Sequence, residues 1–364
     1  MVPRLSEYGA ASSLALAREC NNQMIRLSSA LSPEQFHSIT GGGPSISEHM
    51  ETCLKFQELG AASKEIVGLG FRATSVIQVP TSTYLIFYVH GGGFVSGSSL
   101  GSAKYLLQMF LELEQRGIVC DIISVDYDLS PGAVYPTALR QVICAYRYGA
   151  AQGKDIVLMG DSAGGNLCLG LLQHLALPNP LLETPIEKPG GGRITAMCLL
   201  SPWVNLRTDG PSVYQYKSFD CLDKTVLDEW ARHYMGPRNV LDCYSNPIER
   251  EKHWGTIMPK HSMILAGGME LFLSDIMDFA RKVSVASSLS FFPIQHLIWQ
   301  QDREDAMELL VTPSKGHAWA AVDYGFKCGA RQLAVATSDD SKEHLEGLSG
   351  LLMQVDWIAK ELNA

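Results

Sequence analysis

Paired cysteines, long apolar runs and an excess of positive charge are all missing from this 364-residue chain. Its nine cysteines lie scattered from Cys20 to Cys328 with no C-x-x-C pair. That excludes the disulfide framework of a small secreted domain and the ligand spacing of a zinc ribbon, and reads as reduced thiols. Cys144, Cys168 and Cys198 fall in apolar stretches and are expected as small core residues. No apolar run approaches the length of a membrane span. With 29 Lys and Arg against 38 Asp and Glu, the net charge of −9 offers no basic face to nucleic acid or an anionic membrane. The opening Met1-Val2-Pro3-Arg4-Leu5-Ser6-Glu7 has neither a charged lead nor an apolar core, so no signal peptide and a cytoplasmic location are expected. Charged residues are scarce at 18% and hydrophobic ones make up 46%, which suits a well-buried globular chain. There is no internal repeat.

The chain is organised around Gly160-Asp161-Ser162-Ala163-Gly164-Gly165. An apolar run, Ile156 to Met159, precedes it, and Asn166 to Leu172 follows with helical spacing. Strand, sharp serine turn and helix form the context of a nucleophile elbow. The flanking glycines let the backbone turn tightly enough to present the hydroxyl in a strained, exposed position. At a helix start, free N–H groups and the positive dipole end favour a developing oxyanion.

Before the elbow, residues 1–60 predict an N-terminal helical cap segment, with apolar periodicity from Ser12 to Leu31 and a capping box at Ser45-Ile46-Ser47-Glu48. From Gly70 strands and helices alternate. Strands are expected at 73–79, 84–89, 118–125, 155–160, 194–200, 262–266 and 307–311, with helices at 101–116, from near Pro136 to before Gly153, 163–177, 274–286 and 345–362. This alternation implies an α/β fold with a mostly parallel central sheet covered by helices on both faces. Residues 177–192 read as a loop, residues 205–260 as a helical cap inserted in a catalytic domain spanning 61–364, and 287–305 as an irregular insertion carrying Phe291-Phe292 and Trp299.

A second motif, His90-Gly91-Gly92-Gly93, ends the strand at 84–89. Consecutive glycines let backbone N–H groups approach a substrate oxygen closely, as an oxyanion hole requires. His90 is read as holding this loop in shape through backbone hydrogen bonds, with Gly91 and Asp161 completing the supporting set.

Together with Asp126-Tyr127, Ser201-Pro202-Trp203, Gly267-Gly268-Met269-Glu270 and Gly316-His317-Ala318-Trp319, these motifs resemble the hormone-sensitive-lipase-like branch of the α/β-hydrolase superfamily over roughly residues 65 to 325. The resemblance implies an α/β-hydrolase fold, Ser162 as nucleophile, and an oxyanion hole formed by the N–H groups of Gly92, Gly93 and Ala163. The family contains carboxylesterases, lipases and deacetylases, and its fungal members often act on sterol esters or natural products. Where the family usually reads Asp-Tyr-Arg-Leu-Ala-Pro-Glu, this chain has Asp126-Tyr127-Asp128-Leu129-Ser130-Pro131-Gly132, losing an Arg and a Glu.

The remaining triad members should follow in the order acid, then histidine. His317, after the last expected strand, is the candidate base among ten histidines. Glu270, after the strand at 262–266, is the preferred acid, and Asp275 is its competitor. The expected chemistry is hydrolysis of a carboxylic ester of a bulky apolar small molecule through an acyl-enzyme, without metal or cofactor. Tyr214, Trp230 and Trp254 are the aromatics that suggest a bulky substrate. Acyl transfer or lactone closure by the same triad, and a non-catalytic binding protein of the same fold, are the rival readings.

Overall fold

The run Tyr84–Val89 forms a strand whose side chains alternate between two buried layers, Leu85, Phe87 and Val89 on one face and Ile86 and Tyr88 on the other. Burial of both faces is why its apolar sequence is continuous rather than alternating. The computed structural model describes residues 64–182, 191–238, 240–283, 297–298, 307–328, 335–337 and 340–363. In chain order its strands are β1 Lys64–Gly68, β2 Phe71–Ile77, β3 Tyr84–Val89, β4 Cys120–Asp126, β5 Asp155–Asp161, β6 Ile194–Leu200, β7 His261–Gly267, β8 Leu297–Ile298 and β9 Met307–Thr312. They form one nine-stranded sheet in the order β1-β2-β4-β3-β5-β6-β7-β9-β8. From β4 to β9 every neighbouring pair is parallel, and the antiparallel pairs lie at the two ends.

Among the described residues, three helices cover each face. Helices α1 (Ala103–Gln115), α8 (Trp319–Cys328) and α9 (Lys342–Leu362) pack with Ile86, Val157 and Cys198. Helices α2 (Thr137–Ala150), α3 (Ala163–Ala176) and α7 (Leu273–Val283) cover Phe87, Leu158 and Leu199 opposite. This is the mostly parallel, doubly covered sheet expected from the alternation, and the α/β-hydrolase arrangement that the resemblance implies. Cys144, Cys168 and Cys198 are buried, as expected of small core residues. The β1–β2 hairpin was not expected; β1 is largely exposed, so it carries no buried apolar stripe to reveal it.

The segment between β6 and β7 holds α4 (Pro211–Gln215), α5 (Lys224–Met235) and α6 (Trp254–Ile257). Helix α5 starts where the sequence offers a cap: the Asp223 side chain accepts from Thr225 N at 2.8 Å and Val226 N at 3.4 Å. The helical segment expected at 1–60 lies outside the described residues, as does the 287–305 stretch apart from β8. No helix among the described residues is long and apolar enough to cross a membrane.

Parallel pairing brings the C-terminal ends of the central strands to one rim. In register, Val89 pairs with Gly160, Asp161 with Leu200, Leu200 with Leu265, and Gly267 with Thr312. The loops carrying His90, Ser162, Ser201, Glu270 and His317 all leave from this rim, where ligands bind in open α/β sheets.

Candidate active site

Ser162 joins β5 to α3 in a left-handed conformation, φ 52° and ψ −119°. A non-glycine residue there is strained, and the surroundings hold it in place. Its N–H donates to Leu200 O at 2.9 Å, while its carbonyl accepts from Trp203 N at 2.9 Å and Asn166 N at 3.2 Å. Gly164 permits the tight fit of helix to sheet: a Cβ there would lie 2.0 Å from Val89 O and 2.5 Å from His90 O. Contrary to the expectation of an exposed serine, Ser162 is only 7% accessible. Left-handed backbone also recurs in other rim loops, at Phe94, Ser201, Ser314 and Ala318.

The glycine loop after β3 is moored to the elbow. Asp161 Oδ1 accepts from Gly91 N at 2.9 Å and from the Tyr88 hydroxyl at 2.5 Å. Burial pushes the Asp161 carboxyl up, and burial followed by the Asp161 charge pushes the Tyr88 hydroxyl well above its usual range. The His90 ring stacks on Tyr127 at 4.2 Å, and its Nδ1 lies 2.7 Å from Gly91 O. Tyr127 in turn donates its hydroxyl to His90 O at 2.9 Å. Gly92 adopts φ +105°, and its carbonyl receives Ser96 N at 3.0 Å. Among the described residues, the N–H groups of Gly92, Gly93 and Ala163 have no hydrogen-bond acceptor. Ala163 is the first residue of α3, where an N–H without an intrahelical partner is inherent.

Glu270 and His317 sit on the neighbouring loops that follow β7 and β9. Backbone bonds tie these loops together, Gly268 N to Thr312 O and Met269 N to Lys315 O, both 2.8 Å. Glu270 is fully buried; its Oε2 accepts from Ser201 Oγ at 2.6 Å and Gly267 N at 2.7 Å. Its Oε1 is buried without a partner among the described residues, and so is Nδ1 of His317. One is an acceptor and the other can carry a proton, so the two orphans are chemically complementary. Burial pushes the His317 imidazole down to about 3. Burial, followed by the charge of Asp220, pushes the Glu270 carboxyl well above the usual carboxylate range. Asp275, the rival acid, accepts from Asn205 Nδ2 at 3.2 Å, and burial lifts its carboxyl to about 6.

Two contributors had no role in the reading from sequence, and a third, Trp230, entered it only as a sign of a bulky substrate. Ser201 Oγ links the two loops, donating to Glu270 and accepting from Ala318 N at 3.1 Å. Asp220 accepts from His317 N at 3.0 Å and Leu271 N at 2.6 Å. Trp230 of α5 packs onto the glycine loop so closely that a Cβ on Gly93 would lie 2.1 Å from its Cε3. Of the other aromatics singled out, Trp254 is buried edge-to-face on Phe279 and Tyr214 is 59% exposed on the surface. Asp128, at the departure from the family pattern, finds its own partners, Arg72 at 3.1 Å and Gln141 at 2.8 Å.

Comparison with known proteins agrees with this architecture. The profile of the alpha/beta hydrolase fold family matches residues 86–290. An esterase of Acinetobacter venetianus is 31% identical over 235 residues, covering 63% of this chain and 71% of the bacterial one. Human hormone-sensitive lipase is 31% identical over 174 residues, 44% of this chain but only 16% of the human protein. The fold superposes on a solved esterase from the bacterial hormone-sensitive lipase family with a TM-score of 0.63 at 21% identity, covering 95% of this chain and 98% of the other. Sheet order, rim and sequence relatives agree: the chain belongs to the α/β-hydrolase fold family.

Proposed function

We propose that this protein is a serine ester hydrolase of the esterase and lipase type. The observation that carries the reading is the left-handed Ser162 at the β5–α3 junction. Beside it, the glycine loop and helix start hold three N–H groups that have no acceptor among the described residues. In the proposed reaction neutral His317 takes the Ser162 proton through its imidazole as the hydroxyl attacks an ester carbonyl. The N–H groups of Gly92, Gly93 and Ala163 receive the developing oxyanion. Glu270, through Oε1, orients His317 and stabilises the imidazolium. The protonated His317 then gives its proton to the leaving alcohol, and water releases the acid from the acyl-enzyme by the same steps in reverse.

The proposed substrate class is an apolar small-molecule ester, supported by the Trp230 ring against Gly93 and the Phe272 ring 4.9 Å from that of His317. We also assign the β6–β7 segment, about 205–260, as a cap on a catalytic domain of 61–364, supported by the contact of Trp230 with the glycine loop and of Asp220 with the His317 loop.

Labelling by a fluorophosphonate, with hydrolysis of p-nitrophenyl butyrate, tests the reading. Wild-type protein should label once and turn over, and Ser162→Ala should do neither while keeping its fold. Turnover at the wild-type rate in folded Ser162→Ala would sink it. Acyl transfer to an alcohol is the second reading, because the same Ser162, His317 and Glu270 set would serve either acceptor. Product analysis in mixed water and alcohol divides the two.

A further inference from the structure

Asp220 lies between α4 and α5, completely buried, at a point where three backbone N–H groups converge. Its Oδ2 accepts from Leu271 N at 2.6 Å, the residue that follows Glu270. Its Oδ1 accepts from His317 N at 3.0 Å and from Cys221 N at 2.7 Å. The Asp220 backbone is itself anchored, its N–H donating to Tyr216 O at 3.0 Å. Thus one side chain from the β6–β7 segment clasps the loops of both the candidate acid and the candidate base.

The residue type fits this position. Only donors among those three groups face the carboxylate, and an ionised carboxylate is the side chain that accepts at both oxygens without presenting a hydrogen of its own. Asparagine, of the same size, would turn an amide N–H toward one of the backbone N–H groups. Burial pushes the Asp220 carboxyl up, and the three backbone N–H groups together with the Cys221 side chain pull it part of the way back. Gly316 fits the same arrangement, since a Cβ there would lie 3.3 Å from Asp220 Oδ1.

We propose that Asp220 is a positioning residue for the reaction at Ser162: its carboxylate sets the spacing and orientation of the Glu270 and His317 loops. The proposal rests on the serine-hydrolase reading. It implies that loosening this clasp impairs the chemical step rather than substrate binding. A shift of the order of 1 Å in a reacting group can cost about a hundred-fold in rate.

The test compares Asp220→Asn and Asp220→Ser with Asp121→Asn in the full chain. Asp121 is a control of matched character: buried, accepting from Val79 N at 2.8 Å and Ser82 Oγ at 2.6 Å, and paired with Lys154 at the end of the sheet opposite the rim. For each variant kcat and KM on p-nitrophenyl butyrate, the rate of fluorophosphonate labelling and the melting temperature are measured. Asp220→Asn should lower kcat by about ten- to a hundred-fold with little change in KM, and slow labelling in parallel. Asp121→Asn should lower the melting temperature and leave kcat per labelled site unchanged. A folded Asp220 variant with wild-type kcat overturns the proposal. So does failure of both Asp220 variants to fold while Asp121→Asn folds, which would assign Asp220 to folding alone. Wild-type protein that does not label would instead refute the serine-hydrolase reading beneath it.

Discussion

Substitution of Gly92 by alanine isolates what the glycine loop does. At φ +105° an L-residue is strained whatever the space, and the added Cβ would meet Ser96 O at 2.3 Å and Ser96 C at 2.7 Å. Both contacts are backbone, so no side chain can swing away. Restoring a normal separation requires the loop to move by on the order of 1 Å. Such a movement takes the Gly92 and Gly93 N–H groups off the carbonyl oxygen they are proposed to meet. Loss of one oxyanion-hole donor costs about 3–4 kcal/mol in the transition state, a hundred- to a thousand-fold in kcat. The backbone strain costs stability as well, about 1–3 kcal/mol. Gly117→Ala separates the two effects: φ there is +77°, and nothing lies within 4 Å of the added Cβ. It should lose stability only. The assay is kcat on p-nitrophenyl butyrate per fluorophosphonate-titrated site, carried to the labelling end point, alongside the melting temperature. If folded Gly92→Ala keeps kcat per site within about twofold of wild type, the loop is not the oxyanion hole and the reasoning fails.

Glu270→Gln should lower kcat far more than Asp275→Asn, because Glu270 lies on the loop bonded to the His317 loop while Asp275 is turned to Asn205; steady-state kinetics in variants of equal stability check the ranking, and the reverse ranking moves the acid to Asp275. Ser201→Ala should reduce kcat by about ten-fold and destabilise by about 1–3 kcal/mol, since it strips a donor from Glu270 and leaves Ala318 N buried without its acceptor; denaturant melts and kinetics measure the two. Because burial lowers the His317 imidazole to about 3, the unfolded chain binds more protons between its ordinary 6.5 and 3, and stability falls as pH drops through that window. His317→Gln should therefore flatten the acid side of the stability–pH curve, by up to about 1.4 kcal/mol per unit of that depression, and an unchanged curve would refute the buried neutral imidazole.

What the sequence determined by itself is whatever local backbone physics demands. Gly160-Asp161-Ser162-Ala163-Gly164 is legible because a left-handed serine between a strand and a helix needs small neighbours on either side. Strands β3 to β7 are legible because burial on both faces writes unbroken apolar runs. Glu270 and His317 could be singled out because each follows a strand in a parallel sheet, and parallel pairing puts every such loop on one rim. Tertiary structure alone decided the rest. The β1 strand, exposed at the sheet edge, has no buried stripe to betray it. Which aromatic meets the glycine loop depended on the docking of α5, and periodicity could not separate Trp230 from Trp254 in the core. Asp220 and Ser201 act on backbone and side-chain atoms between 51 and 117 residues away. Every residue but proline offers the same backbone N–H, so a side chain that binds one leaves no pattern in the sequence of its partner, and only folding reveals the pair.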